Sequence, residues 1–335
     1  MEQIERLALI RQLIESWAEI DALSVMDVLS VDTITLAGDF RFLINEWEIL
    51  QIKPWVYQKR FDVRKYLAQD LSQREKKFYN SSFLENYIPN KTNLWTDEER
   101  KKLHDLNSWS SFSFDYTQNL KGIENFLYDQ VEFCAKLDES SYKRLDIEIF
   151  LRNWVRKKWV PFAQSMYLEN LKKAFEFIRD SFEDSFLMLH DFETVSRHIC
   201  EKKVSDTELW KLRSYVLELK DIAYVPLSDT NILEKQYEYS LEKLNKIEDP
   251  FEQMLFILVY IAYILPFSDW NKELTYYMCN ISLLKWWYAP FVFQDIDFYE
   301  FDTAYKALYE LSDIMILKEL ILSSYSKNIR RYTNL

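Results

Sequence analysis

Glycine is nearly absent from this sequence, because Gly38 and Gly122 are its only two glycines among 335 residues. Ordinary usage of about 7% would give roughly 23. Glycine adopts positive φ and lets a backbone approach a ligand closely without steric cost. Since the two glycines stand alone, G-x-G-x-x-G and G-x-x-x-x-G-K-[ST] are both absent, which excludes the dinucleotide-binding fingerprint and the P-loop. Tight β-hairpins, which favour Asn-Gly turns, are also disfavoured. The sequence therefore predicts an all-α, mainly helical fold.

Charge and apolar segments restrict the partners and the location. The chain carries 42 basic and 54 acidic residues, a net charge of −12, so it lacks the basic face of a general nucleic-acid binder. The most apolar run, residues 254–266, is too short to cross a bilayer and predicts a buried core helix and no membrane insertion. Residues 1–5 lack the basic start of a signal peptide. We expect a cytoplasmic protein, either in the cell that makes it or after delivery into a host cell.

Apolar residues at helical spacing predict helices along most of the chain. The predicted helices span residues 3–23, 39–50, 97–106, 117–137, 140–159, 161–200, 232–247, 251–265, 269–288, 298–311 and 313–325. Residues 213–226 differ, because two β-leaning runs around Lys220-Asp221 predict the one β-hairpin of the chain. The three cysteines, Cys134, Cys200 and Cys279, are odd in number and widely spaced, and predict neither a disulfide framework nor a zinc site.

Residues 265–273 read Leu-Pro-Phe-Ser-Asp-Trp-Asn-Lys-Glu and lie between two predicted helices. This segment resembles the signature of the Fic (Fic/Doc, Fido) family, H-P-F-x-[DE]-G-N-G-R. Upstream, Arg213, Tyr224 and Pro226 resemble the start and end of that family's β-hairpin flap. The resemblance covers about a third of the chain and implies a Fic-like core with a short hairpin flap. We expect this core at residues 201–335, after a helical N-terminal region at residues 1–200.

In the Fic family, as the resemblance implies, the histidine deprotonates a target hydroxyl and the acidic residue holds Mg²⁺ on ATP. The G-N-G backbone forms an anion hole, the arginine stabilises the phosphates, and AMP is transferred to a protein hydroxyl. Here the histidine position is Leu265, which cannot accept a proton. The two glycines are Trp270 and Lys272, and the arginines fall on Glu273 and Tyr276. A carboxylate repels phosphate, so we predict no catalytic residue and a protein without AMP-transferase activity.

The signature's acidic residue and asparagine survive as Asp269 and Asn271, and Lys272, at a glycine position, could meet a phosphate as a point charge. They are the residual nucleotide or phosphate positions, and Asp269 is a weak metal-ligand candidate. Each also has a structural explanation: helix N-capping for Asp269, maintenance of the fold for Asn271, and solvent exposure for Lys272. We expect no resident cofactor; Mg²⁺ and a nucleotide enter only if the chain is a divergent transferase. The three histidines, His104, His190 and His198, are distant in sequence and are interpreted as surface or capping residues.

A second resemblance lies at residues 33–39, which are similar to the family's inhibitory motif [ST]-x-x-x-E-[GN]. Thr33 and Gly38 match the motif, whereas its acidic position is Ala37. The motif's helix can cover the active site in that family. The alternative is an ordinary helix start that contains a glycine.

Two aromatic clusters are interaction candidates. Trp154 and Trp159 stand among four basic residues, Arg152, Arg156, Lys157 and Lys158. This pattern is typical of a patch for nucleic acid or an acidic partner, or of a solvated helix face. Residues 286–293 are strongly aromatic and form either core or a protein interface.

Three functions stay open on the sequence alone. The first is a degenerate Fic-like protein that acts by binding a protein partner, as a regulator, an effector or part of a toxin–antitoxin pair. The second is a divergent transferase that uses a nucleotide, a nucleotide-sugar or another phosphorylated donor. The third is a helical scaffold unrelated to the Fic family. The oligomeric state does not follow from the sequence.

Overall fold

The computed structural model describes residues 2–16, 20–45, 48–59, 62–108, 112–182, 187–203 and 211–333. The chain divides into two compact units, Met1–Ala68 and Gln69–Leu335. Both are mainly helical, which confirms the predicted fold class. Within the described residues, no helix is long and apolar enough to cross a membrane.

The first unit combines four helices and a small sheet. Its described elements are α1 (Gln3–Ser16), β1 (Ile20–Asp21), α2 (Ala22–Leu29), α3 (Thr33–Asn45), β2 (Ile49–Lys53), β3 (Val56–Lys59) and α4 (Val63–Leu67). Strand β3 pairs antiparallel with β1 and with β2. Helices α1 and α3 pack on each other and on these strands. They bury an aliphatic core that includes Ile10, Val25 and Leu43.

Two predicted helices of this unit are too long. The prediction for residues 3–23 is wrong at its end, because α1 stops at Ser16 and Ile20–Asp21 forms β1. The prediction for residues 39–50 is wrong as well, since Ile49 already begins β2. Pro54 and Trp55 turn the chain between β2 and β3, and Trp55 has a φ of 63°. This is the position where such turns normally need glycine.

The second unit contains most of the helices and a two-stranded pairing. Its described elements are a 3₁₀ turn (Leu71–Gln73), β4 (Lys77–Phe78), α5 (Ser81–Glu85), α6 (Asp97–Asn107), α7 (Tyr116–Leu137), α8 (Arg144–Asn153), α9 (Phe162–Ser181), α10 (Leu189–Cys200), β5 (Tyr224–Val225), α11 (Thr230–Leu244), α12 (Pro250–Phe256), a π-helical turn (Ile257–Ile261), α13 (Ala262–Ile264), α14 (Asn271–Leu284), α15 (Phe298–Leu311) and α16 (Met315–Tyr332).

Helix α14 is the centre of this unit. All residues from Glu273 to Leu284 are buried, and α9, α10 and α12 pack against them. The predicted apolar helix before it, now α12 to α13, is buried at every residue except Gln253. The connection between α13 and α14 is therefore anchored at both ends in the core.

Several helix predictions hold in detail. The Thr96 hydroxyl accepts a hydrogen bond from the Glu99 backbone N–H (3.2 Å), and the Glu99 carboxylate accepts one from the Thr96 N–H (2.8 Å). This capping box opens α6 as predicted. Helix α7 also matches the prediction for residues 117–137, and α15 matches that for residues 298–311.

Other helix predictions run past a backbone reversal. The prediction for residues 140–159 is wrong beyond Asn153, where Trp154 takes a left-handed conformation that ends α8. The predicted helix at residues 161–200 forms two helices, α9 and α10. Residues 183–186 between them lie outside the described residues.

The predicted hairpin at residues 213–226 does not form. Only Tyr224–Val225 is a strand, and it pairs in parallel with Lys77–Phe78. Arg213 donates its backbone N–H to the Pro266 carbonyl (3.1 Å) and its guanidinium to the Tyr215 carbonyl (2.8 Å). The Arg213 N–H and the Tyr215 carbonyl thus already have hydrogen-bond partners other than residues 222–226.

The division between the two compact units falls between Ala68 and Gln69 in the sequence. The predicted boundary near residue 200 separates a Fic-like core from the residues before it, and it stays a prediction. Helices α9 and α10, which precede this boundary, pack directly on α14, which follows it.

Residues other than glycine make the left-handed turns of this chain. Neither glycine has a positive φ, whereas thirteen described residues have φ values between 51° and 65°. They are Ser30, Trp55, Asn90, Glu139, Trp154, Trp159, Lys202, Asp221, Leu265, Trp270, Trp287, Asp295 and Ser312. Two of them, Leu265 and Trp270, begin and end the connection between α13 and α14.

Candidate functional site

The segment that resembles the Fic signature forms a tight loop, residues 265–270, which we call the motif loop. Helix α13 ends at Ile264 because Leu265 adopts the left-handed conformation (φ 51°, ψ 63°) and Pro266 cannot continue the helix. Trp270 is also left-handed (φ 52°, ψ 27°), and α14 begins at the next residue. The Leu265 side chain is only 3% exposed. The position of the expected base thus holds a buried aliphatic group.

Arg213 fastens the start of the motif loop. Its Nε donates to the Leu265 carbonyl (2.6 Å) and its Nη2 to the Ile264 carbonyl (3.3 Å). These carbonyls are among those that a helix C-terminus leaves without intrahelical partners. The side chain is 3% exposed, and burial lowers its pKa. Arg213 therefore holds the backbone of the loop in this structure. Tyr224, the second predicted flap residue, is buried, and its hydroxyl donates a hydrogen bond to the Tyr263 carbonyl (2.9 Å).

Asn271 closes the loop from the other end. Its Nδ2 donates to the Phe267 carbonyl (2.8 Å), and its Oδ1 accepts from the Phe267 N–H (2.9 Å). Both polar groups of the buried side chain are thereby bound to backbone. This geometry supports the expectation that Asn271 maintains the fold.

Asp269 is the most exposed polar group of the loop. Its Oδ1 accepts from the Trp270 N–H at 2.8 Å. The expected N-cap role is wrong, because the left-handed Trp270 lies between Asp269 and the first residue of α14. The carboxylate thus faces solvent one residue too early to cap the helix.

Lys203 places a cation beside the motif loop, and the sequence did not predict it. The Lys203 ammonium lies 4.8 Å from the centre of the Trp270 ring and 3.5 Å from that of Tyr167. It also forms an ion pair with Asp138 at 2.7 Å. These residues come from the ends of α7 and α10 and from α9, so no local pattern in the sequence could have joined them.

Glu273 is buried at the position of the signature's arginine. Its side chain is 8% exposed, and burial raises its pKa to about 7. The carboxyl lies in the electrostatic range of the Cys134 and Cys200 thiols. Burial raises the pKa of Cys200 to about 12. Glu273 is thus a carboxyl group kept from water and held partly protonated near neutral pH.

The remaining positions of the signature are packed into the core. The Lys272 ammonium lies 5.0 Å from the centre of the Tyr305 ring. The side chain is half-buried, so the predicted solvent exposure is wrong, and burial lowers its pKa. Tyr276 is buried and its ring stacks on Phe293 at 5.7 Å between centroids. Its hydroxyl accepts from the Phe293 N–H (3.0 Å).

The histidines have partners away from the motif loop. His104 places Nε2 2.6 Å from an Asp249 carboxylate oxygen and Nδ1 3.2 Å from the Tyr288 hydroxyl. His190 contacts Thr194, and His198 is half-buried beside Phe177. Across the described ranges, none of them hydrogen-bonds to the motif loop.

The segment that resembles the inhibitory motif is helical. Thr33 begins α3, and Gly38 lies on its exposed side, where an added Cβ would meet nothing within 4 Å. Asp39 is buried and pairs with Arg6 at 2.6 Å. The inhibitory role of Thr33 and Gly38 stays a prediction.

Magnesium ATP does not fit the residues of the loop in the pose that the resemblance implies. A single exposed carboxylate, Asp269, is available for a divalent ion. Among the described residues, no group of three His, Cys, Asp or Glu side chains could hold a metal. Two side chains, Trp270 and Lys272, occupy the glycine positions, and a buried carboxyl stands at residue 273. A pocket of about 410 Å³ lies elsewhere, on α6, with Lys101 and Asp105 in its wall.

Comparisons with known proteins identify the fold. No family model matches the sequence, and no curated protein is similar to it. Among solved structures, Fic-1 from C. elegans aligns with a TM-score of 0.55 at 12% identity, over 70% of each chain. A Fic domain containing signaling protein from Bacteroides thetaiotaomicron aligns with a TM-score of 0.53 at 12% identity, over 70% of this chain and 93% of that one. A Fic family protein from Desulfovibrio desulfuricans gives 0.53 at 14% identity, over 73% and 76%.

At these identities the comparisons establish the fold. The chain has the Fic fold, and the resemblance seen in residues 265–273 is confirmed at that level. A helical scaffold with a fold other than the Fic fold is thereby excluded.

Proposed function

We propose that this chain is a Fic-fold protein that does not transfer AMP and that acts by binding another protein, as a regulator or an effector. The observation that carries this proposal is the geometry of Leu265. Its aliphatic side chain is buried at the position of the expected base, and Arg213 fixes its carbonyl. General-base catalysis contributes roughly 10²–10⁴-fold to such reactions, and an aliphatic group contributes none of it.

The anion-binding part of the loop supports the same proposal. An anion hole needs free N–H donors that point at the phosphate. Here the Phe267 N–H is bound to Asn271 (2.9 Å) and the Trp270 N–H to Asp269 (2.8 Å). Glu273 adds a carboxyl group where the signature has a cation. Two backbone N–H donors of the loop already have partners, and the Glu273 carboxyl repels phosphate; both features disfavour ATP in the family's usual pose.

Binding of a protein is supported by the far end of α14. Trp286 and Trp287 directly follow this helix and are 55% and 50% exposed. Large aromatic side chains that stay exposed are typical of protein interfaces, where tryptophan supplies much of the binding energy. The helix that carries the altered signature thus ends in two candidate contact residues.

The proposal is tested by incubating the full chain with ATP that carries a label on its α-phosphate, with Mg²⁺ and cell extract. We expect no labelled protein above the level of a no-protein control. Leu265→His serves as the companion variant and is expected to stay inactive, because Trp270, Lys272 and Glu273 still obstruct the phosphates. Labelled protein from the wild-type chain that disappears in Asp269→Ala would overturn the proposal.

A divergent transferase is the second candidate, and one observation favours it. Asp269 is exposed beside Trp270, and the Lys203 ammonium lies against the same indole ring. A carboxylate and a cation at one edge of the loop suit a donor that binds outside the family's usual pose. The test is thermal unfolding of the chain with nucleotide-sugars and other phosphorylated donors. A shift that Lys203→Ala abolishes, and that exposed Lys235→Ala retains, would favour this candidate.

A further inference from the structure

The connection between α8 and α9 presents apolar side chains to water. We call residues 154–162 the tryptophan loop. Trp159 is 100% exposed, and Trp154, Val155 and Phe162 are 55%, 57% and 63% exposed. Trp154 and Trp159 both have positive φ values, 57° and 65°. Exposed apolar groups gathered in this way mark an interaction surface.

The same segment is basic within an acidic chain. Residues 152–162 contain four basic and no acidic side chains, although the whole chain has a net charge of −12. Two of the four fasten the loop to the protein: Arg152 pairs with Glu124 (2.6 Å), and Lys157 pairs with Asp146 (2.7 Å). The other two, Arg156 and Lys158, are exposed and, within the described part of the chain, have no carboxylate partner.

The loop is held in a defined shape. The Lys157 N–H donates to the Tyr142 hydroxyl (3.2 Å), and the Lys157 ammonium donates to the Ser141 carbonyl (2.8 Å). The Arg156 guanidinium lies 5.1 Å from the centre of the Phe162 ring. A preorganised surface loses little conformational entropy when it binds.

We propose that the tryptophan loop docks on an anionic lipid surface, with Trp159 and its apolar neighbours at the water–lipid boundary and Arg156 and Lys158 on the headgroups. Tryptophan prefers this boundary because its ring is largely apolar and its N–H stays hydrogen-bonded. Lysine and arginine near an anionic leaflet are attracted by its surface potential. No spanning helix is needed for this contact.

The shape of the loop favours a lipid surface over two other anionic partners. A peptide needs a groove or a strand edge, whereas Trp159 is 100% exposed and therefore lies in no groove. Single-stranded nucleic acid stacks its bases on free aromatic faces, but one face of Phe162 is covered by Arg156 and one face of Trp154 by Lys172 (5.1 Å). Repulsion from distant acidic residues is screened beyond about 8 Å at physiological salt.

The test is co-sedimentation of the full chain with vesicles of phosphatidylcholine alone or with 30% phosphatidylserine. We expect binding to the phosphatidylserine vesicles that weakens as salt rises. Trp159→Ser should lower the partition constant about tenfold. Arg156→Glu with Lys158→Glu should lower it about 30-fold or more, because each cation contributes about a factor of five.

The controls change matched residues elsewhere. Tyr299→Ser removes another exposed aromatic side chain (66% exposed), and Lys220→Glu with Lys235→Glu reverses two other exposed cations; both should bind as the wild type does. Equal binding to the two vesicle compositions, no binding at all, or an undiminished affinity of the loop variants overturns the proposal. Loop-dependent binding of a dT oligonucleotide or a polyglutamate peptide, without vesicle binding, overturns it in favour of those partners.

Discussion

The backbone of the motif loop keeps a conformation for which its residues are poorly suited. Trp270 has a φ of 52° and Leu265 a φ of 51°, and a left-handed conformation costs a non-glycine residue about 1–2 kcal/mol. Contacts of the side chains offset part of this cost. The Trp270 indole packs against the Lys203 ammonium at 4.8 Å, an interaction worth about 0.5–2 kcal/mol. The Trp270 indole is therefore held against Lys203 although the backbone at residue 270 is left-handed.

Trp270 offers a direct test of this strain. Trp270→Ala removes the indole and keeps the strain, whereas Trp270→Gly removes both. We expect the glycine variant to be the more stable by about 1 kcal/mol. The measurement is the free energy of unfolding in denaturant for both variants. At a position without backbone strain, the alanine variant would be more stable than the glycine variant. A Trp270→Ala variant that is more stable than Trp270→Gly would therefore contradict the left-handed geometry.

Glu273 links stability to pH. Its pKa is raised by burial from 4.5 to about 7, so between these values the folded chain keeps a proton that the unfolded chain has released. Stability should therefore fall as pH rises from about 4.5 to 7, by about 3 kcal/mol in total. Glu273→Gln removes this dependence, and its free energy of unfolding should exceed that of the wild type increasingly up to pH 7.

The control for this prediction is Glu242→Gln, which changes an exposed carboxyl on α11. It should follow the wild type at every pH. A gap between Glu273→Gln and the wild type that is constant from pH 4.5 to 8 would show that the Glu273 carboxyl is not desolvated.

At the residue scale, the site was only partly predictable. The local order of residues 265–273 identified the loop, and Asn271 was expected to maintain the fold. Lys203, Tyr167 and Asp138 were not predicted, because they reach the loop from separate helices. The burial of Glu273 and the half-burial of Lys272 were also missed, since a charged pair in sequence is normally solvated.

At the scale of elements, one glycine permits a close approach. A Cβ on Gly122, in α7, would lie 2.2 Å from the Tyr332 carbonyl oxygen at the end of α16. Asn119, one turn earlier in α7, donates to the same carbonyl at 3.1 Å. The missing side chain at residue 122 thus allows α16 to end against α7.

The two glycines should respond oppositely to the same substitution. Gly122→Ala should destabilise the chain by about 1–3 kcal/mol, because the carbonyl of Tyr332 must move. Gly38→Ala should stabilise its own unit by about 0.5–1 kcal/mol, since the site is open and alanine favours a helix. Thermal unfolding of each variant measures both effects. Similar shifts of one sign would contradict this packing.

Elements with their own local signals were predicted well. The capping box of α6 and the apolar periodicities of α7 and α15 are properties of continuous segments, and all three helices form. Strands β4 and β5 pair across nearly 150 residues of sequence, and no local signal encodes such a partner. Likewise, α8 ends at a left-handed Trp154, which helix propensity does not anticipate.

At the scale of the whole molecule, the chain combines the Fic fold with a segment, residues 265–273, that differs from the signature of the Fic family. The fold was recognised from about a third of the chain through Pro266, Phe267 and Asn271 and the two helices that flank them, although the predicted hairpin does not form. The first unit, Met1–Ala68, was not predicted as a separate unit. Its strands are short, and its apolar residues have the same helical spacing as those in the remainder of the chain. The proposed function requires that the motif loop does not hold magnesium ATP.

Isothermal titration of the full chain with ATP and Mg²⁺ tests this claim most directly. A companion titration of Asp269→Ala identifies any heat that arises at the loop. We expect no saturable heat up to millimolar nucleotide, with or without Mg²⁺. Saturable, Mg²⁺-dependent binding in the micromolar range that is lost in Asp269→Ala would contradict it.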